Sequence, residues 1–171
     1  MESLNTEPNA RETPEPRRPA TFFGTFFHKV SAKTNQVAMP KQFLRAINNS
    51  GEGQLLLVWW NGENYLRLYT QEKMDRRIEE IQARTDLTKQ QIVELTRDLA
   101  GSAIPIEPDS QGRFVLPAEW VERLGLQDEV AFCGAHKRIE IWPAKARREK
   151  DRTQGERSAE AKAKVTEILD L

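Results

Sequence analysis

The chain has 171 residues, of which 38% are apolar, enough for one ordinary domain or two very small ones. Its 26 Lys and Arg balance 26 Asp and Glu, so any binding of a polyanion has to come from local clustering of cations. A single cysteine, Cys133, excludes an internal disulfide and indicates a buried thiol in a reducing compartment. The apolar runs are too short for a signal peptide or a membrane span, so we expect a cytoplasmic protein without a membrane partner.

Residues 1–20 combine four prolines with Glu and Arg and hold few apolar side chains, which predicts a disordered tail. Strands and a short helix follow. The predicted elements are a strand over residues 22–30, a turn over 32–35, a strand from Gln36 to Met39, a helix from Pro40 to Ile47, and a hairpin of Leu55 to Trp60 with Tyr65 to Tyr69. The hairpin turn contains Asn-Gly, a strong hairpin signal.

Two helices are predicted next. The stretch from Thr70 to Ala83 has apolar residues at i, i+4 and i+7. The second helix begins with a capping box of Thr88 and Gln91 and stops at Gly101. Packing against each other and against the strands explains the apolar stripes of both helices, and the alternative is a groove for a separate partner.

The first pattern returns after Gly101. The predicted elements are a strand from Ala103 to Glu107, a turn from Asp109 to Gly112, a strand from Arg113 to Leu116, a helix from Pro117 to Leu124, and a hairpin of Glu129 to Gly134 with Arg138 to Trp142. Superposing Pro40 on Pro117 aligns Asn35 with Gly112, Gln36 with Arg113, Val37 with Phe114 and Phe43 with Trp120. The chain therefore contains an internal duplication. Each copy is too small to bury a core alone, so the two must interlock.

The best-defined motif is Asp-Ser-Gln-Gly-Arg-Phe-Val-Leu-Pro, which begins at Asp109. Asp109 can accept hydrogen bonds from backbone N–H groups of the turn, and Gly112 accepts the positive φ that closes it. Asn35 takes the place of that glycine in the first copy, and Asn tolerates positive φ better than most residues. Pro40 and Pro117 each fix the start of a helix. These five residues are predicted to form the architecture of the turns.

This arrangement resembles the MraZ family, which is built from two swapped-hairpin units of the SpoVT/AbrB type. The resemblance covers residues 24 to about 146 and is strongest in the Asp109 motif and in Arg138-Ile-Glu-Ile-Trp142. It is weaker in the first unit. There Ala32, Thr34, Asn35 and Gln36 stand where the family's turn has Asp, Lys, Gly and Arg.

The fold that the resemblance implies is α+β, with tandem duplicated units that interleave as a pseudo-dimer. The implied domains are a first SpoVT/AbrB-like domain over residues 24–71, a helical connector over 72–101 and a second SpoVT/AbrB-like domain over 103–146. They lie between the disordered tail and a charged C-terminal tail over 147–171. Within that tail, Ser158 to Leu171 could form a short helix that is marginal in isolation.

The function that the resemblance implies is sequence-specific transcriptional regulation. Such a protein binds double-stranded DNA as a ring-shaped homo-oligomer, on direct repeats upstream of the division and cell-wall gene cluster, and is associated with the nucleoid. One alternative is a ring-forming assembly protein that has lost DNA readout, because Thr34 and Gln36 replace cations of the first turn. The other is an antitoxin-like module whose C-terminal tail masks a toxin.

Arg113 is the first candidate for contact with DNA, since a guanidinium can bind a phosphate or the O6/N7 edge of guanine. The alternative is a salt bridge to Asp109 that locks the turn. Gln111 stands where the family often has Lys, and Gln36 could pair with adenine. Both are counted among the candidate DNA-binding residues.

The first unit carries a local excess of cations. Residues 26–51 contain no Asp or Glu, and four cations fall within 17 residues. They are Lys29, Lys33, Lys41 and Arg45. This cluster predicts a basic patch for phosphate contact, and an ordinary solvated face is the alternative.

Motifs for catalysis are lacking in the sequence. It contains no Gly-rich phosphate loop, nucleophile elbow or pair of placed carboxylates, so we expect no enzyme, no cofactor and no small-molecule substrate. His28 and His136 have no ligand partner at metal-binding spacing, and no metal site is expected. Aromatic residues of the first hairpin, Trp59 and Tyr65 among them, indicate core or interface packing, with base stacking as the alternative.

Overall fold

The computed structural model describes residues 17–60, 62–157 and 159–169 of the chain. In chain order the elements are β1 (Thr25–Lys29), β2 (Gln36–Ala38), α1 (Lys41–Ser50), β3 (Leu55–Val58), β4 (Leu66–Thr70), α2 (Gln71–Gln82), α3 (Lys89–Gly101), β5 (Ala103–Ile106), β6 (Arg113–Val115), α4 (Ala118–Leu124), β7 (Glu129–Gly134), β8 (Ile139–Pro143), α5 (Ala144–Arg157) and α6 (Ala159–Leu169). The combination of helices with antiparallel strands confirms the predicted α+β class. Below, the first half means β1 to β4 with α1, and the second half means β5 to β8 with α4.

The strands of the two halves share one antiparallel sheet, in the order β1-β7-β8-β4-β3-β5. β1 pairs with β7 and β5 pairs with β3, so the first strand of each half lies against the hairpin of the other. β4 and β8 pair at the centre of the sheet. β2 and β6 pair separately as a two-stranded ribbon. If the labels β1 to β4 are interchanged with β5 to β8, the strand order and the pairings are the same.

The main apolar core draws on both halves. It combines buried side chains of the sheet, the ribbon, α1 and α4. The rings of Phe22 and Phe26 pack edge-on against the ring of Phe43 of α1, with centroid distances of 5.5 and 5.4 Å. Phe114 of the ribbon meets Phe132 of β7 at 6.4 Å. Neither half therefore supplies this core alone.

The other face of the sheet is covered differently over the two hairpins. Leu56, Val58 and Tyr69 of the first hairpin pack with Met74 of α2 and Leu99 of α3. The connector helices therefore cover the sheet, as their apolar stripes predict. Over the second hairpin lies a smaller cluster of Ala131, Cys133 and Trp142. Cys133 is buried, as predicted, and burial raises the pKa of its thiol.

The start of α3 confirms the predicted capping box. Thr88 Oγ1 accepts a hydrogen bond from Gln91 N at 3.2 Å, and Gln91 Oε1 accepts one from Thr88 N at 2.9 Å. The end of α1 differs from the prediction. That helix continues past Ile47 to Ser50, where Gly51 ends it with a φ of 66°. Asn48, Asn49 and Ser50 thus form its last turn.

The segment that enters β1 crosses to the second half. Residues 1–16 of the predicted disordered tail lie outside the described residues, but Ala20 is buried and so differs from that prediction. Phe22 and His136 exchange backbone hydrogen bonds of 2.9 and 3.0 Å. A Cβ on Gly134 would come within 2.5 Å of the Phe22 backbone, so this crossing requires glycine in β7.

A buried ion pair holds the same segment. Lys73 Nζ lies 3.2 Å from Glu52 Oε2, and the two side chains are 8% and 2% exposed. Glu52 also accepts hydrogen bonds from Ala20 N at 3.2 Å and from the Thr70 hydroxyl at 2.9 Å, while Lys73 donates to the Ala20 carbonyl. Burial lowers the pKa of Lys73. Sequence periodicity gives no signal for such a pair.

The charged stretch after β8 forms α5, a helix that the sequence analysis did not predict. Its charges pair along the helix, as in Arg147 with Asp151 at 2.9 Å. Arg148 reaches Glu129 of β7 at 2.8 Å, and Lys150 Nζ lies 4.4 Å from the ring centroid of Trp142. α5 is therefore attached to the sheet through cations and not through an apolar stripe. α6 follows over the region where a short helix was predicted.

Candidate nucleic-acid interface

One face of the β2–β6 ribbon is buried, and the other is exposed on β6 and half-buried on β2. Val37 and Phe114 pair at its centre, and both are buried. The flanking positions alternate to the other face. There Gln36 is paired with Val115 and Ala38 with Arg113. Gln36 and Arg113 are thus diagonal neighbours on a surface that a ligand can reach.

The turn before β6 is built by Asp109. Its Oδ1 accepts hydrogen bonds from the backbone N–H groups of Gln111 and Arg113, both at 2.9 Å. Asp109 N donates to the Arg113 carbonyl at 2.9 Å, and Gly112 N donates to the Asp109 carbonyl at 2.8 Å. Gly112 has a φ of 78°, in the region that favours glycine. This geometry confirms the predicted Asp–Gly turn.

Arg113 forms the salt bridge to Asp109 that is the alternative to DNA contact. Its Nε donates to Asp109 Oδ2 at 2.7 Å. Hydrogen bonds from the Arg113 backbone and side chain lower the pKa of Asp109. The Arg113 side chain nevertheless stays 47% exposed. The salt bridge therefore orients the guanidinium and leaves surface for a further ligand.

The turn before β2 is longer by one residue than its counterpart. Ser31 N donates to the Gln36 carbonyl at 2.9 Å, so four residues lie between the closing pair, against three between Asp109 and Arg113. Ser31, and not Ala32, therefore closes the first turn. The predicted alignment of Ala32 with Asp109 is wrong. Asn35 adopts the expected positive φ, 54°. The Ser31 hydroxyl accepts only a long hydrogen bond, 3.4 Å from Thr34 N, so this turn is less tightly held.

The predicted cations of the first half fall into two groups. Lys33 lies in the first turn, and Lys41 and Arg45 lie on α1, all exposed. Lys29 is on β1 instead, directly opposite Glu129 in the sheet. Glu129 is already bonded to Arg148, so Lys29 belongs to a mixed-charge cluster beside α5.

Two ribbon residues were missed by the sequence analysis. Ala38 and Val115 share the exposed face with Gln36 and Arg113, and Val115 is 55% exposed. The available signal was the alternation of the strand around Phe114, which places Val115 opposite to the core. Exposed apolar groups beside Arg and Gln suit contact with thymine methyl groups.

The hairpin aromatics pack within the protein. Tyr65 stacks on Trp142 with centroids 4.4 Å apart, Trp59 meets Trp120 at 6.2 Å, and Tyr69 is buried under α2. The packing interpretation is therefore favoured over base stacking. His28 Nδ1 contacts the Ala38 carbonyl, and the described part of the chain contains no group of three potential metal ligands. Within the same residues no helix is long and apolar enough to cross a membrane.

Comparison with known proteins assigns the chain to a class and then to a family. The chain is similar to proteins named transcriptional regulators. Transcriptional regulator MraZ of Bacteroides fragilis is 30% identical over 129 residues, which covers 75% of this chain and 80% of the relative. Transcriptional regulator MraZ of Cereibacter sphaeroides is 32% identical over 136 residues, covering 72% and 80%. The model of the family described as "MraZ protein, putative antitoxin-like" matches residues 99–166. The chain belongs to the MraZ family.

Proposed function

We propose that this chain is a sequence-specific DNA-binding transcriptional regulator. The observation that carries the proposal is the exposed face of the ribbon, where Arg113 and Gln36 stand diagonally on a rigid two-stranded platform. A two-stranded ribbon fits the major groove, where Arg can bind guanine and Gln can bind adenine. The names of the relatives support the same function.

The platform belongs, in this proposal, to two SpoVT/AbrB-type swapped-hairpin units. Residues 24–71 and 103–146 are the two units, interleaved as a pseudo-dimer and joined by the connector over 72–101. The pairing of β1 with β7 and of β5 with β3 supports this assignment. So does the ribbon, to which each unit contributes one strand.

Arg113 is the principal reader of base sequence in this proposal. Asp109 accepts a hydrogen bond from the Arg113 Nε and so orients the guanidinium. Bidentate readout of a base requires such an orientation. Gln111 lies in the same turn, and Lys41 and Arg45 supply contacts to phosphate. Lys29 has a smaller role, because Glu129 lies opposite to it.

The proposed operator is a set of direct repeats upstream of the division and cell-wall gene cluster. We infer a ring-shaped homo-oligomer that places several ribbons on successive repeats along one duplex, in association with the nucleoid. Each ribbon would add phosphate contacts, so affinity would rise with the number of engaged subunits.

A gel shift with the duplex upstream of the protein's own gene tests the proposal. The full-length protein should retard this duplex, and affinity should fall steeply between about 50 and 200 mM salt. Arg113→Ala should weaken binding with stability kept within about 1 kcal/mol, as surface substitutions usually do. If the oligomer is intact but does not retard the duplex at low salt, the chain is an assembly protein without DNA readout.

An antitoxin-like role is the second candidate. It is favoured by the description of the family model and by its match to residues 99–166, which include α5. In this role the C-terminal segment would cover a toxin. Co-purification of a cotranscribed small toxin with the full chain, lost on deletion of residues 147–171, would support it.

A further inference from the structure

The ribbon places the turn of each half beside the helix of the other half. Met39 N donates to the Gly112 carbonyl at 2.9 Å. A Cβ on Gly112 would lie 3.2 Å from Leu44 Cδ2 of α1. The turn that carries Arg113 in the second half is therefore packed on the first turns of α1, in the first half.

The exposed cations of α1 consequently join the arginine turn. Lys41 and Arg45 lie within one helical turn of Leu44, and α1 has no acidic residue. We call this the arginine end of the ribbon, made of Glu107, Asp109, Gln111, Arg113, Lys41 and Arg45, since Glu107 and Asp109 line one cleft with Leu44 of α1. It has three cations against two carboxylates, and the carboxylate of Asp109 is engaged by Arg113 itself.

The opposite end of the ribbon has the equivalent backbone contacts and a different charge. Leu116 N donates to the Asn35 carbonyl at 3.0 Å, which brings the first turn beside the start of α4. The positions of α4 that match Lys41, Gln42 and Arg45 of α1 hold Ala118, Glu119 and Glu122. We call this the glutamate end, made of Lys33, Glu119, Glu122 and Arg123.

The cation of α4 is already engaged by one of these carboxylates. Arg123 Nη1 bonds Glu119 Oε1 at 3.0 Å, and its guanidinium lies 4.4 Å from the centroid of the Trp59 ring. The glutamate end is left with two cations against two carboxylates. A duplex brought to it would meet Glu122 at the position where the arginine end offers Arg45.

We propose that each subunit contacts DNA phosphates through the arginine end only, while Arg113 and Gln36 face the bases, so that one subunit reads an asymmetric site in a fixed direction. This inference rests on the proposed function and goes beyond it by assigning the phosphate contacts to one of two equivalent ends. Phosphate contacts stabilise binding by counterion release, which requires uncompensated cations. Carboxylates near phosphate repel it, so the glutamate end makes no phosphate contact.

The chain offers a matched pair of variants for the test. Lys41 and Lys33 are both exposed lysines, one at each end. Full-length wild type, Lys41→Ala and Lys33→Ala are titrated onto the upstream duplex over a salt series, with far-UV circular dichroism and size-exclusion chromatography as folding controls. For Lys41→Ala we expect about a tenfold loss of affinity and a salt slope reduced by about 1 for each engaged subunit. For Lys33→Ala we expect a change below about twofold and an unchanged slope.

A second pair of variants tests the two ends by removing one charge from each. Glu122→Gln should leave affinity within about twofold, because no phosphate approaches it, whereas Arg45→Gln should weaken binding as Lys41→Ala does. Equal losses for Lys33→Ala and Lys41→Ala, or a clear gain of affinity for Glu122→Gln, would overturn the inference and leave the proposed function standing. Failure of the wild type to bind the duplex at low salt would instead refute the proposed function.

Discussion

The helices that follow the two hairpins, α2 and α5, occupy the same place in their halves and are attached by different chemistry. Each begins at the residue after the last strand, and Met74 and Arg147 are the fourth residue of their helices. α2 buries Met74 against Leu56 and Tyr69, whereas α5 lays cations over Trp142. Burial of apolar area is worth several kcal/mol, and exposed cation–π contacts are worth about 0.5–1 kcal/mol each. Equivalent positions therefore carry unequal shares of the stability.

The largest expected effect lies at the buried ion pair of Glu52 with Lys73. Lys73→Ala leaves Glu52 buried and unpaired, which should cost about 3–5 kcal/mol in urea unfolding. The double variant Glu52→Gln with Lys73→Met should recover much of this loss, because it removes both charges. The matching helix position in α5 is Ala146, which forms no such pair. A loss below about 1 kcal/mol for Lys73→Ala would show that water already reaches Glu52.

The next largest effect is the difference in stability loss between matched substitutions in α2 and α5. Met74→Ala should destabilise the protein by about 2–5 kcal/mol, since it opens a cavity under α2. Arg147→Ala should cost no more than about 1 kcal/mol, because its ion pair with Asp151 is partly exposed. Similar losses for the two variants in urea titrations would contradict the comparison.

Truncation of the N-terminus tests the contacts of Ala20 with Glu52 and Lys73. Removing residues 1–20 takes away the Ala20 N–H and carbonyl that Glu52 and Lys73 bind, and should cost about 1–3 kcal/mol. Removing residues 1–16 provides the control, and should leave the unfolding midpoint unchanged. The sequence alone predicts no loss for either truncation, so equal midpoints would favour that prediction.

The smallest effect is expected at the turns. Asp109→Ala removes the acceptor of two backbone N–H groups, and should lower Tm more than Ser31→Ala, which removes one long hydrogen bond. The pKa of Asp109 is lowered in the folded protein, so its contribution is present above the ordinary pKa of Asp and is lost as pH falls through the lowered value. The Tm difference between wild type and Asp109→Ala should therefore vanish in acid, as differential scanning fluorimetry can measure.

The sequence predicted those features that depend on local pattern. The Thr88 capping box, the Asp109 turn and the positive φ of Asn35 each follow from one residue type at one place. The need for the halves to interlock followed from their size. Helix α5 was missed because its charges have no apolar period, and it is held by pairs along the helix.

The candidate site was predicted only in parts. Arg113 and the cations of α1 were identified separately, in different halves of the chain. Their juxtaposition depends on Met39 bonding Gly112 across the ribbon, a contact between residues 73 apart that no local pattern encodes. The extra residue of the first turn was also missed. Superposing Pro40 on Pro117 and counting back along the chain assumes that the two turns have the same length.

The exchange of strands between the halves also sets the order in which the protein can fold during its synthesis. Lys29 of β1 pairs with Glu129 of β7, so the first strand waits for 100 further residues before its partner exists. Pairings this distant along the chain slow folding and leave strand edges exposed in the nascent protein. The pairing of β3 with β4 and the packing of α2 and α3 on that hairpin join residues that are closer along the chain. We expect these contacts to form on the ribosome, and β1 to join the sheet only after release.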